Sequence, residues 1–157
     1  MFGRRFPKTR RGVSLLELIA VVTLLGIMAT VSVASFRRGT LANANAKADA
    51  TRINGDLRLA RTRAIASGDN HLLSFGGGAG AYNYQVLRRN QDGTTTIIQD
   101  TFTFHKDVTV TVTPSNPEFN FEGDATASCT ITLRTADKTY QVLVNQVTGT
   151  SRIVIAP

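Results

Sequence analysis

The sequence predicts an α+β chain in which a long N-terminal helix, apolar in its first half and amphipathic in its second, packs on an antiparallel β-sheet domain. Three observations predict it. No charge occurs from Leu18 to Phe36. Ala46, Ala50, Ile53, Leu57, Ala60 and Ala64 then recur at alternating four- and three-residue steps, an apolar stripe on one helix face. Past Gly68 the pattern changes to short alternating runs separated by Gly, Pro, Asn and Asp, as expected of antiparallel strands.

The first element is the most unusual. A basic leader ends in Arg10-Arg11-Gly12, followed by Val13-Ser14-Leu15-Leu16-Glu17-Leu18 and the uncharged run. As a helix, that run is about 28 Å long at 1.5 Å per residue, close to the thickness of a bilayer's hydrocarbon core. Glu17 is an isolated carboxylate beside it. A mid-helix Asp costs about 2.5–3.5 kcal/mol on insertion scales, so an intramembrane ionisable residue points to function. Near the leader end Glu17 can snorkel toward headgroups. Snorkelling explains its tolerance and gives no reason for its presence. A partner cation gives one, and the nearest candidate is the new amino terminus made by cutting after Gly12.

Gly12, Val13 and Glu17 in this apolar setting resemble the type IV prepilin processing site, shared by pilins and the pseudopilins of type II secretion. The resemblance implies a prepilin peptidase that cuts after Gly12, N-methylation of Val13, and pairing of Glu17 with a neighbouring subunit's terminus during assembly. That family usually places phenylalanine first, so Val13 departs from it. Other readings fit less well. A signal peptide has an apolar region of about 7–15 residues; Ser32-Val33-Ala34 could serve as its cleavage site, but this run is longer and Glu17 interrupts it. Thr9-Arg10-Arg11 makes a poor twin-arginine signal, and a plain anchor leaves Glu17 unexplained.

Charge follows the same division. Of the formal net charge of +7, Arg4, Arg5, Lys8, Arg10 and Arg11 all lie in the leader, and removing it leaves +2. Those five hold the leader on the cytoplasmic side and outnumber Arg37 and Arg38 beyond the span. The remaining chain is only mildly basic, so the net charge is not a nucleic-acid signature. The layout expected is a leader over 1–12, a transmembrane and assembly helix over 13–36, an amphipathic helix half over 37–68 and a β-sheet domain over 69–157.

The amphipathic half carries Arg52, Arg58, Arg61 and Arg63 on its other faces, with Asp49 and Asp56 among them. Ser67-Gly68-Asp69-Asn70 stops it, with Gly68 as C-cap. Without a proline, one helix is expected from about Val13 to Ser67, with Gly26 and Gly39 as its softer points. Leu59-Ala60-Arg61, two positions, then Ala64-Ile65 resembles the H-type minor pseudopilins and the FimT-like minor pilins.

His71 to Phe75 reads as a short strand and Gly76-Gly77-Gly78-Ala79-Gly80 as a flexible loop. It lacks the Lys-Ser/Thr and helix of a phosphate-binding loop. Tyr82–Arg89 and Thr94–Gln99 form a hairpin across Asn90-Gln91-Asp92-Gly93. Phe102 and Phe104 alternate, as do Val108, Val110 and Val112, and Pro114 and Pro117 end that segment. Phe119-Asn120-Phe121-Glu122-Gly123 leads to Thr130–Arg134, a turn at 136–138, Thr139–Asn145, a turn at 148–150, and a last strand, Ser151–Ile155. The Phe-x-Phe-x-Gly, the Thr-Ile-Thr-Leu after it and Thr148-Gly149 with Arg152-Ile153 again resemble that subfamily. Cys129 is the chain's single cysteine and can form no internal disulfide. It shares a strand face with Ile131 and Leu133, which points to core packing.

Catalytic chemistry is hard to find, and the chain is not expected to be an enzyme. His71 and His105 begin no metal-ligand spacing, and His105-Lys106-Asp107 has no nucleophile elbow to serve. Neither a metal nor a cofactor is expected. FimT-like minor pilins bind DNA through Gly-Arg-x-Arg; here Gly149-Thr150-Ser151-Arg152 keeps only the second arginine, making Arg152 a candidate DNA contact. Arg88 and Arg89 are expected at a solvated hairpin end. The resemblance implies a minor pseudopilin or pilin in the bacterial inner membrane, single-pass, with its globular domain in the periplasm and a filament after assembly. Its partners would be the prepilin peptidase, other pilin subunits, the membrane and secreted cargo. The alternatives are a DNA-binding pilus subunit for transformation and a periplasmic domain on an uncleaved anchor.

Overall fold

The computed structural model describes residues 14–36, 39–77 and 82–156. Helix α1 (Leu15–Phe36) lies in one compact unit. Helix α2 (Gly39–Ser67) and all the strands lie in a second. The single helix expected from Val13 to Ser67 includes Val13, Arg37 and Arg38, which lie outside the described residues, as do Gly78, Ala79 and Gly80 of the glycine loop.

α1 is apolar on all sides, as a helix is when it meets no water on any face. Its Leu15–Ser32 window is long and apolar enough to cross a membrane, and none of it is buried within the chain. Three of its hydroxyls are satisfied inside the helix. Thr23 donates to the carbonyls of Ile19 and Ala20, Thr30 to Ile27 and Ser32 to Met28, at 2.8–3.0 Å. Such back-bonding lets Ser and Thr sit in an apolar medium.

α2 ends as its sequence dictates. Gly68, at φ 76°, donates its N–H to the Ala64 carbonyl at 3.0 Å, the αL cap that only glycine forms without strain. The predicted stripe is the core face: Ala46, Ala50, Ile53, Leu57, Ala60 and Ala64 are all fully buried. Alanine at four of those six positions lets backbone approach closely, and two sheets do so.

The first sheet has the order β3-β2-β1-β5, from β1 (Asn70–Gly76), β2 (Asn83–Arg89), β3 (Thr95–Thr103) and β5 (Glu118–Phe119). The second has the order β4-β6-β7-β8, from β4 (Thr109–Thr113), β6 (Cys129–Arg134), β7 (Thr139–Val144) and β8 (Ser151–Ala156). Every pairing is antiparallel. The β2–β3 turn follows its residues: Gly93 takes φ 83°, and the Asp92 carboxylate accepts from the backbone and hydroxyl of Thr94. Those bonds hold the Asp92 carboxyl below its usual range.

Alternation places Ile131, Leu133, Val142 and Val144 inward, with Cys129 on the same face. Its thiol donates to the Ser115 carbonyl, and burial pushes it up to about 11. An aromatic cluster fills the first sheet's inner side: Tyr84 lies 5.3 Å from Phe75 and from Phe102, and 5.5 Å from Phe104.

Leu57→Ala removes a fully buried side chain from the seam between the two sheets. Urea unfolding is expected to show a loss of about 2–5 kcal/mol. A raised thiol pKa means the folded state favours the protonated form. The stability contributed by Cys129 is therefore complete below pH 9.0 and is lost as pH rises toward about 11. A Cys129→Ala variant is expected to lose less stability than the parent over that interval.

Candidate functional site

Gly12 and Val13, the predicted cleavage and methylation positions, lie outside the described residues. Glu17 is described. It is the third residue of α1, exposed, and the only charged side chain from Leu15 to Phe36. Leu18 N–H already bonds the Ser14 carbonyl at 3.1 Å, so the helix is formed around the carboxylate. A negative charge in a first turn faces the unpaired N–H groups of the helix start, which favour it. Around it, Leu15, Leu16 and Leu18 are all more than half exposed. The arrangement is a single carboxylate acceptor on an apolar surface.

In the second unit, the motif segments that lie far apart in sequence come together. Arg61 donates from Nε to the Gly123 carbonyl at 2.8 Å. Gly123 sits at φ 88° against the Ile65 side chain, and Gly149 at φ 57° against both Gly123 and Arg61. A Cβ at Gly149 would overlap the Gly123 carbonyl oxygen. Next to it, Ser151 donates its hydroxyl to Asn54 of α2 at 2.7 Å. The Leu-Ala-Arg, Phe-x-Phe-x-Gly and Thr-Gly segments are therefore three sides of one packed junction. Phe119 is its buried anchor, while Phe121 is 57% exposed.

This decides the identity. The family described as type II transport protein GspH matches residues 49–149. The chain belongs to that family. Its N-terminus, residues 7–33, matches the prokaryotic N-terminal methylation motif. It is a GspH-type pseudopilin with a prepilin-type N-terminal motif. Two solved structures of the minor pseudopilin EpsH from the type II secretion system of Vibrio cholerae share the fold. One has a TM-score of 0.60 at 16% identity, over 71% of this chain and 97% of that one. The other has 0.60 at 14%, over 73% and 96%. Among curated proteins, none matches.

One expectation about charged residues needs correction. Asp49 and Asp56 of this GspH-family chain, expected among the arginines on the other faces of α2, are buried, at 2% and 9% exposed. Each follows a stripe residue by three positions, which puts it on the flank of the buried seam. Buried carboxylates require partners, and both have them. Asp49 Oδ1 lies 3.0 Å from His105 Nδ1, and Asp56 accepts the Tyr84 hydroxyl at 2.5 Å. Burial first, and then Asp56, pushes the Tyr84 phenol far above its ordinary range. Arg52 lies over the Phe102 ring at 4.2 Å, with Nε 4.0 Å from Asp56.

Arg88 and Arg89 stand at the partly solvated hairpin end expected of them, with side chains 43% and 42% exposed, and Arg89 has an ion-pair partner besides. Arg89 grips both oxygens of Glu118 at 2.8 and 2.9 Å, and Asn70 donates to the same carboxylate. Glu118 raises the Arg89 guanidinium further. The reason is topological: β5 returns to the far edge of β1 and places Glu118 within reach of β2. His105 finds its acid in Asp49, fifty-six residues away, rather than in Asp107. His71 is buried, with Nδ1 3.0 Å from the Asp69 carbonyl oxygen. Arg152 stands exposed on β8 opposite Leu143. No cluster of His, Cys, Asp and Glu among the described residues could hold a metal.

The junction separates two glycines by their surroundings. Gly149→Ala meets both a positive φ and a filled space, whereas Gly93→Ala meets only the positive φ. Gly93→Ala is expected to cost about 1–2 kcal/mol. Gly149→Ala should cost clearly more, read as the difference between their urea midpoints.

Proposed function

We propose that this chain is a minor pseudopilin subunit of a type II secretion filament, made by cleavage after Gly12 and assembled through Glu17. The observation that carries the reading is Glu17 itself: one carboxylate on an otherwise uncharged helix, in a chain whose remainder has the GspH-family fold. Four regions divide the work: residues 1–12 are the leader, 13–36 the membrane and assembly helix, 37–68 the amphipathic half and 69–157 the sheet domain. Before processing, α1 holds the chain in the inner membrane with its five leader cations on the cytoplasmic side and the sheet domain in the periplasm.

Cutting between Gly12 and Val13 removes those cations and creates an amine four residues from Glu17. A prepilin peptidase makes the cut, and the amine of Val13 is methylated. In the filament, α1 packs among the same helices of other subunits. There Glu17 and a neighbour's terminal amine neutralise each other, and each would be costly to bury alone. The pairing also sets the axial offset between subunits, because α1 carries no other charge. The chain's task is assembly and contact with other subunits and cargo, with no catalytic step of its own.

Membrane-extracted protein made with and without prepilin peptidase supplies the test. Intact mass and N-terminal sequence should give a methylated chain beginning at Val13 only when the peptidase is present. A chain beginning at Met1 in both would sink the reading. Glu17→Ala should be cut as the parent is, yet be lost from sheared filaments; normal incorporation would remove Glu17 from the mechanism.

A further inference from the structure

A groove of about 590 Å³ opens between the last turns of α2 and the first sheet, away from the junction around Arg61. Its walls include Arg63 and Ser67 of α2, His71 of β1, Arg88 of β2 and Thr96 and Ile97 of β3. The register explains the convergence: His71 pairs with Arg88, and Arg88 with Thr96, so the three form one row across the sheet. One polar atom of Arg63 is unmet. Nη1 of Arg63 is buried and has no hydrogen-bond partner, alone among the buried side-chain polar atoms of the described residues.

The groove's charge is unbalanced as well. Arg88 reaches Asp69 only at 3.9 Å and donates to the Asn90 side-chain carbonyl at 3.2 Å. The groove's lining thus holds two arginines and no carboxylate. Beside them Ile97 is 59% exposed. An isolated buried donor is costly unless an acceptor arrives, and a guanidinium's planar fork matches a carboxylate.

We propose that this groove docks a carboxylate-bearing apolar segment of a partner protein, an Asp or Glu flanked by aliphatic residues. The carboxylate pairs with the Arg63 and Arg88 guanidinium groups that line the groove, and the flanking side chains cover Ile97. Polyphosphate chains fit less well. Nucleic-acid affinity comes from cations tracking many phosphates, whereas here Asp69 and the isoleucine wall stand beside only two arginines. That the partner is another filament subunit or cargo rests on the pseudopilin reading; the carboxylate chemistry does not.

Full-length protein in zwitterionic micelles, carrying isotope-labelled arginine, is titrated with acetyl-Leu-Asp-Leu-amide and with acetyl-Leu-Asn-Leu-amide. The aspartate peptide should shift the Arg63 and Arg88 side-chain resonances to saturation and leave Arg152 unmoved. The asparagine peptide should bind roughly tenfold more weakly. Arg63→Gln should abolish the response at Arg88, and Ile97→Ser, at an exposed position that leaves folding intact, should weaken it. Equal affinity for the two peptides, or no saturable shift at Arg63, overturns the proposal. So does inorganic phosphate or a short oligothymidylate that binds as well as the aspartate peptide. Cleavage after Gly12 does not depend on this groove, so failure of peptide binding and failure of the filament reading are separate results.

Discussion

Two four-stranded sheets share one helix as their common inner wall, so the surface of α2 has to satisfy both at once. It does so in three parallel tracks. The middle track, from Ala46 to Ala64, is apolar and mostly alanine, fully buried under both sheets. On one flank, Asp49 and Asp56, seven residues apart, reach His105 and Tyr84 on the side of the first sheet. On the other, Asn43, Asn54 and Arg61 accept from Thr135 and Ser151 and donate to Gly123, tying down the second sheet and its loops. Non-directional burial supplies most of the attraction. The flanking hydrogen bonds fix where along the helix each sheet sits, because a shifted helix would leave two carboxylates buried without partners.

The residues that carry the family resemblance in the second unit are explained by this same requirement rather than by chemistry. Arg61 reaches a carbonyl 62 residues away, and only glycines at 123 and 149 leave room for it. A larger residue at Gly149 would strike the backbone of Gly123, which cannot swing aside as a side-chain end can. Three short segments therefore have to be kept together. A fold shared with EpsH at 14–16% identity is consistent with a constraint that resides in a few contacts and a helix pattern.

That division also accounts for what could be read from the sequence. The buried stripe of α2, the Gly68 cap, the Asp92-Gly93 turn and the inward face of Cys129 depend on residues within a turn or a strand of one another. Local spacing therefore reveals them. The burial of Asp49 and Asp56 and the Glu118 partner of Arg89 were not legible, because charged side chains are usually solvated and these partners come from other elements. The three-residue offset of each aspartate from the stripe was the available signal. Strand order had no such signal: nothing local tells β5 to pair with β1 after β4 has joined the other sheet. The unmet Nη1 of Arg63 was equally invisible, since it exists only once α2 closes over the row from His71 to Thr96.

The two units therefore answer different physical problems. The second builds its core from residues of α2, the strands and the loops between them. α1 bonds the hydroxyls of Thr23, Thr30 and Ser32 internally and presents an apolar surface with one carboxylate among its described residues. In the proposed filament this separates affinity from identity. Every subunit can offer a similar apolar helix and a similar carboxylate, so α1 chemistry brings subunits together without distinguishing among them. Discrimination between neighbours has to come from the second unit. In the proposed docking, the groove's two arginines stand beside an exposed isoleucine and favour a partner that brings both an acceptor and an apolar side chain.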